Sequence, residues 1–337
     1  MNSKGLGLLK TLLLSTSRVN KVKHSKNKKT KRKAIIALVG MAVLFIMAVA
    51  YGALTCVGYA QIGLARFIPD LCASSISLMA FIFTIFKTNG YMFAFKEYDM
   101  LMSLPFKEKT IAACKFLYMY INSVIWYVAL SLPMLVVYGV YEKPSLFTYI
   151  AWIILTFAIP IIPMIGAAFL GFIFAKISTF FKKKNIIQTI LTFVFVLFCF
   201  SLQYIIEAFA KKDNAKQLIE EAAGSIEGLG KIYWPVKWFS DAVREPSLLD
   251  FVCLILVSFV IFEIVFLIVG KNYRQINSAL KTHSASKDYT MTRQKKHSIV
   301  NSIAFKEFKR MTGSQTYLIN GSMGVVLALV SQFIYRL

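Results

Sequence analysis

Charge is scarce in this chain, and acidic charge is scarcer still. Only 16% of the 337 residues are charged, with 16 Asp or Glu against 39 Lys or Arg. Soluble domains are about one-quarter charged, so composition disfavours a soluble globular reading at the outset. Histidine is sparse: His24, His283 and His297 fall in basic stretches and form no cluster. Cys56, Cys72, Cys114, Cys199 and Cys253 lie in or beside apolar runs, with no C-x-x-C pair and no metal-ligand spacing. Such cysteines behave as small buried hydrophobes. No metal site, catalytic residue or bound cofactor is therefore expected. No catalytic dyad stands at helical spacing, which removes an intramembrane hydrolase. Also lacking is G-x-x-x-x-G-K-[ST], the loop whose amides cradle nucleotide phosphates.

What the chain does contain is apolar sequence, 57% of all residues, with a mean hydropathy of +0.62. Six runs reach the roughly 20 residues that a membrane helix needs. They are 34–59, 68–86, 116–140, 146–175, 186–208 and 251–270, and a seventh begins near Ile319. The spacing predicts an all-α, polytopic helical bundle with six complete transmembrane helices plus a seventh near the C-terminus. The fourth run carries Pro160 and Pro163, which predicts a kink rather than a break because neighbouring helices can satisfy the freed carbonyls.

Basic residues then choose the sides. They cluster at 18–33, after the second run (Lys87, Lys96, Lys107, Lys109, Lys115), after the fourth (Lys176, Lys182, Lys183, Lys184) and from Lys271 through Arg310. These blocks fall on one side of the alternating runs, and cytoplasmic loops carry the lysine and arginine excess. The N-terminus is thus expected inside, in a multi-pass protein. The same distribution answers for the formal charge of +23; nucleic acid is not an expected partner, although basic chains neutralise phosphates.

The expected organisation has four parts. Residues 1–33 form a cytoplasmic interfacial helix and basic tail, with Leu8, Leu9, Leu12 and Leu13 on one arc against membrane lipids. The leucines precede the basic block, the reverse of a secretory signal. Residues 34–270 form the six-span domain, with an outer loop at 209–250. Residues 271–317 form a cytoplasmic linker and a second interfacial helix, and 318–337 begin a second transmembrane half.

Four groups of residues are candidates for function. Between the second and third runs, Glu97 and Asp99 stand beside Leu101, Leu104, Pro105 and Phe106, an acidic and apolar element suited to docking a cytoplasmic partner. In 302–311, at about 100° per residue, Ala304, Phe305, Phe308 and Met311 share a face opposite Lys306, Glu307, Lys309 and Arg310, with Ile303 a misfit. In the outer loop, Ala215, Leu218, Ile219 and Ala222 have helical spacing, and Trp234, Pro235 and Trp238 with Tyr233 and Phe239 form an aromatic segment expected to anchor on the outer leaflet. Ionisable residues inside spans are costly and face bundle interiors. Asp70 lies near a boundary and is expected wet, as is Glu207 near Gln203. Glu263 lies deeper and is expected to pair with another span.

The stretch from Phe95 through Lys-Glu-Tyr-Asp-Met-Leu-Met-Ser-Leu-Pro105, then Ile111 and Lys115, resembles the first inner loop of bacterial ATP-binding-cassette exporter permeases of the type-2 class. The segment Tyr233-Trp-Pro-Val-Lys-Trp-Phe-Ser-Asp-Ala242 looks like the one ahead of their sixth span. The resemblance covers about residues 6–250. It implies the membrane subunit of an ATP-driven exporter in a bacterial cell membrane, not itself an enzyme, which couples hydrolysis by a separate cytoplasmic ATPase to translocation. ATP would be bound on that partner and not on this chain, and Glu97 to Phe106 would meet it. The family pattern has a second set of spans, so a second permease half or a homodimer is implied, and the chain reads as truncated or naturally split. The competing expectations are an ion-coupled secondary transporter using Asp70 and Glu263, and a non-transporting immunity or assembly factor.

Overall fold

A computed structural model describes residues 3–88, 100–101, 103–179, 190, 193–194, 233–285, 298–312, 317–318, 321, 324 and 328. Among the described residues all regular structure is helical. We label the helices α1 (Ser3–Thr16), α2 (Arg18–His24), α3 (Lys28–Gln61), α4 (Ile68–Lys87), α5 (Glu108–Glu142), α6 (Leu146–Ala158), α7 (Ile161–Thr179), α8 (Trp234–Arg244), α9 (Leu248–Ala285) and α10 (Ile299–Thr312). Five stretches among the described residues are long and apolar enough to cross a membrane: Lys28–Gln61, Ala65–Lys87, Glu108–Glu142, Leu146–Phe174 and Leu248–Val265. They match the first four expected spans and the sixth. The expected fifth run, 186–208, and the seventh, 318–337, lie almost wholly outside the described residues. Five of the expected runs are thus seen as membrane-length helices among the described residues.

α3 is the peripheral member. Its only buried residues are Ala34, Gly52, Cys56 and Ala60, while Ile35, Val39, Leu44, Ile46, Met47 and Leu54 are exposed. Small side chains turned inward and large ones outward suit lipid, where close helix approach comes from small residues. Asn27 caps α3 by accepting from the Lys29 amide at 2.9 Å. Lys28, Lys29, Lys31, Arg32 and Lys33 crowd the first turns, where the helix dipole disfavours cations.

The core lies among α4, α5, α6, α7, α8 and α9, which pack on one another, with α1 and α3 laid against α5. Trp152, Tyr127, Phe116, Phe239, Ile76 and Leu155 are among its largest fully buried side chains. The α1 leucines meet this protein surface. Leu8 and Leu9 are buried, Leu12 and Leu13 pack beside them, and the Cys114 thiol donates to the Gly5 carbonyl at 3.4 Å. At the far end of α5, Lys143 takes a left-handed conformation (φ 46°) and its amide bonds the Gly139 carbonyl at 3.2 Å. That geometry stops the helix before Pro144.

The fourth run is interrupted at Ile159 and Pro160, where a continuous kinked helix was expected. Pro160 has no amide to offer, and α7 restarts one residue later with Pro163 in its first turn, where the missing donor costs little. The Tyr120 hydroxyl of α5 donates to the Phe157 carbonyl at 2.6 Å, so a neighbour supplies what the interruption took away. α9 also runs past its expected end at 270. Its 38 residues span about 57 Å at about 1.5 Å per residue, well beyond a hydrocarbon core of about 30 Å. The first part of the expected linker is thus a continuation of the same helix.

Candidate functional site

At the end of the bundle away from the N-terminus, α8 is wedged between α4, α6 and α9. Pro235 sits in the first turn, where its missing amide is harmless. Pro235, Val236, Phe239, Ala242 and Val243 are buried, and the Phe239 ring meets Trp152 edge-on with centroids 5.6 Å apart. Most of the segment expected to anchor on the outer leaflet folds onto protein. Trp234 alone of the three expected anchors keeps substantial exposure, at 37%, and its ring lies tilted against that of half-buried Trp238, with centroids 4.6 Å apart. Burial pushes the Tyr233 phenol up to about 12, the Ser77 hydroxyl opposing this weakly.

A charged clasp closes the wedge. Asp70, in the first turn of α4, forms an ion pair with Arg244 in the last turn of α8. Both groups complement their helix dipoles. The Arg244 Nε donates to the Arg66 carbonyl at 2.9 Å, and its guanidinium lies over Phe67 at 5.4 Å. Burial, then the neighbouring Arg66 charge, lowers the Arg244 pKa from its ordinary value, yet a guanidinium stays charged in proteins. Arg66 and Glu245 add an exposed pair at 3.9 Å, which contributes little. The Thr148 hydroxyl of α6 donates to the Val243 carbonyl at 3.2 Å, holding the wedge from its other side.

Asp70 and Glu263 exchange the surroundings expected of them. Asp70 is 3% exposed and paired, although its place near a boundary suggested water. Glu263 is exposed on α9, where pairing with another span was expected, and among the described residues it forms no ion pair. The physical reason is tertiary: α8 returns to cover the start of α4, while the Glu263 face of α9 is left open. Gln203 and Glu207 lie outside the described residues.

Below the wedge a hydroxyl network joins three helices. The Trp152 indole donates to the Ser131 oxygen at 2.9 Å, Ser131 and Thr156 share a hydrogen bond at 2.7 Å, and the Cys72 thiol reaches Ser131 at 3.7 Å. All four residues are buried. Sequence reasoning missed Ser131, Thr156 and Arg244. Ser131 and Thr156 had only the weak signal of hydroxyls inside apolar runs. For Arg244 the signal was a lone cation after an aromatic helix, with nothing local to indicate Asp70.

The candidate docking loop is split by its own packing. Glu97 and Asp99 lie outside the described residues. Leu101 is 2% exposed and Phe106 packs against the core, so those two face inward. Met100, Leu104 and Pro105 remain exposed. On α10, Phe305 and Phe308 are exposed, Arg310 pairs with Glu307 at 3.8 Å, and Lys309 lies on the same charged side. The expected spacing of that face is present, and Ile303 is exposed with it.

Residues 26–320 match the model of a family described as "Putative ATP-binding cassette". No curated protein and no solved structure matches the chain. The match overturns several expectations. The family is named for an ATP-binding cassette, so a type-2 permease subunit served by a separate ATPase does not stand. With it go the claim that the chain is no enzyme and the placing of ATP on a partner alone, and neither the secondary transporter nor the immunity or assembly factor fits. The described residues nevertheless form no nucleotide cradle. Their glycines lie within helices except Gly63 (φ 81°), in the turn after α3, and a phosphate loop needs glycine-rich backbone opening a helix. Because the match runs across most of its length, the chain belongs to the family described as a putative ATP-binding cassette.

Proposed function

We propose that this chain works inside the cell membrane as a multi-pass component of an ATP-binding-cassette transport system. The observation that supports it best is one bundle containing five membrane-length helices within the segment that the family model matches. The basic blocks before α3, after α4 and beyond α9 support a cytoplasmic N-terminus. On this reading Met100, Leu104 and Pro105, with Glu97 and Asp99 just before them in sequence, contact another component of the same system. Phe305 and Phe308 rest on the inner membrane surface, with Lys309 and Arg310 towards headgroups.

Two measurements test the reading. The chain should stay in the membrane pellet through alkaline carbonate washing, and release into the supernatant ends the proposal. With Leu104→Cys or Lys143→Cys, an impermeant maleimide added to intact cells should label position 143 and spare 104; the opposite pattern inverts the topology. A third measurement, on the purified protein, tests the family description: a fluorescent ATP analogue should saturate a site on this chain, and absence of saturable binding counts against it.

A further inference from the structure

A groove opens between the start of α5 and the lower half of α9. It is lined by Lys109, Thr110, Ala113 and Leu117 from one helix and Phe262, Glu263 and Leu267 from the other, around about 330 Å³. Its floor is built and not incidental: the Phe262 ring packs on buried Phe116 with centroids 5.6 Å apart, and α5 and α9 are in extensive contact. The open face of α9 around it carries Leu256, Phe259, Val260, Ile264 and Leu267, a surface suited to acyl chains. A carboxylate on that surface is costly unless a cation meets it. Among the described residues neither Glu263 nor Lys109 takes part in an ion pair, so the groove presents one free anion, one free cation and the Thr110 hydroxyl above an apolar floor.

The level of the groove is set by helix length. Glu263 lies 15 residues after Leu248, or about 22 Å along α9 at about 1.5 Å per residue. That places it in the half of the bilayer nearer the N-terminal, basic end, while Lys109 begins α5 at that same end. Lysine near a helix end extends towards headgroups. Phe193, from the next apolar run, packs on Phe86 of α4 and does not line this groove.

We infer that this groove binds one phospholipid of that leaflet with a zwitterionic headgroup ending in a primary ammonium. Its phosphate sits on Lys109 and Thr110, its ammonium donates to Glu263, and an acyl chain lies along Ala113, Leu117, Phe262 and Leu267. A lipid with only anionic charge would leave Glu263 unpaired beside a like charge. A quaternary ammonium carries the charge but has no N–H to donate.

The test uses the full chain, delipidated in detergent and offered equal amounts of phosphatidylethanolamine, phosphatidylcholine and phosphatidylglycerol with identical acyl chains, with bound lipid read by native mass spectrometry. Phosphatidylethanolamine should be retained about tenfold over phosphatidylglycerol, equivalent to about 1.4 kcal/mol, and above phosphatidylcholine. Glu263→Gln should bring the three lipids within about twofold of one another, without shifting the melting temperature, because that side chain is exposed. Lys109→Gln should lower retention of all three. Leu117→Trp, which fills the groove with apolar volume, should block retention while leaving both charges in place. Phosphatidylglycerol bound best, or an ethanolamine preference that survives Glu263→Gln, overturns the inference.

Discussion

α8 and α10 are both short helices with apolar residues along one side and charge along the other, yet they end in opposite environments. α8 has Pro235, Val236, Phe239, Ala242 and Val243 covered by three other helices, whereas α10 leaves Ile303, Phe305 and Phe308 exposed. Two features account for the difference. Only Glu245, Pro246 and Ser247 separate α8 from α9, so the turn holds it against the bundle, while residues 286–298 stand between α9 and α10. In addition, α8 ends in Arg244, whose charge has a buried partner in Asp70. The lesson is that an apolar helix face states a need for cover without saying whether protein or lipid supplies it.

The sharpest way to break this comparison is to remove the clasp. Arg244→Ala leaves the Asp70 carboxylate buried and alone, and losing one member of such a pair costs about 3–5 kcal/mol. Unfolding of the purified protein in a denaturing-detergent titration should show a loss of that size. A loss below about 1 kcal/mol, the range of a surface pair, means that α8 is held by packing alone. The double variant Asp70→Asn with Arg244→Gln should recover part of the loss, which separates the charge from the contact.

Packing itself comes next. Phe239→Ala empties a fully buried position against Trp152, and such truncations cost about 3–5 kcal/mol in soluble cores. The lower end of that range is expected here, because detergent or lipid can enter from the rim. Ser131→Ala should cost about 1–3 kcal/mol by stranding the Trp152 indole, and indole fluorescence should report the altered polarity. If Ser131→Ala is silent, the Trp152 indole does not depend on that hydrogen bond and the hydroxyl network is not what holds α6 in place.

The smallest effect is expected on the other member of the comparison. Phe305→Ala combined with Phe308→Ala should change stability by less than about 0.5 kcal/mol, as surface substitutions do. Their consequence should appear instead as greater protease access to α10 in reconstituted vesicles. A double variant that destabilises as much as Phe239→Ala would show that α10, like α8, packs on protein.

Much of the helical layout was legible because its determinants are local. Runs of apolar residues long enough for a bilayer announce spans at Lys28–Gln61 and Glu108–Glu142 without knowledge of any neighbour. Leucines at Leu8, Leu9, Leu12 and Leu13 likewise announce a shared face. The candidate site was far less legible. Glu263 looked buried and Asp70 looked wet when position along a run was the only guide, and the structure reverses both. Leu101 and Phe106 looked available to a partner, and the core takes them. The permease subunit inferred from short motifs near Glu97 and Tyr233 gave way to a family described as an ATP-binding cassette. A motif of a few residues carries too little information to separate related assignments.

The sequence by itself determined that the chain is helical, that its longest helices suit a membrane, and at which end its positive charge gathers. Hydropathy and charge are properties of each residue, and they add along the chain. Only the tertiary structure decided that Arg244 meets Asp70 across 174 positions of sequence, that Tyr120 supplies the hydrogen bond for the broken fourth run, and that Glu263 opens onto a groove between α5 and α9. Those outcomes depend on which helices are neighbours. Nothing within a single helix encodes the partner that desolvates it.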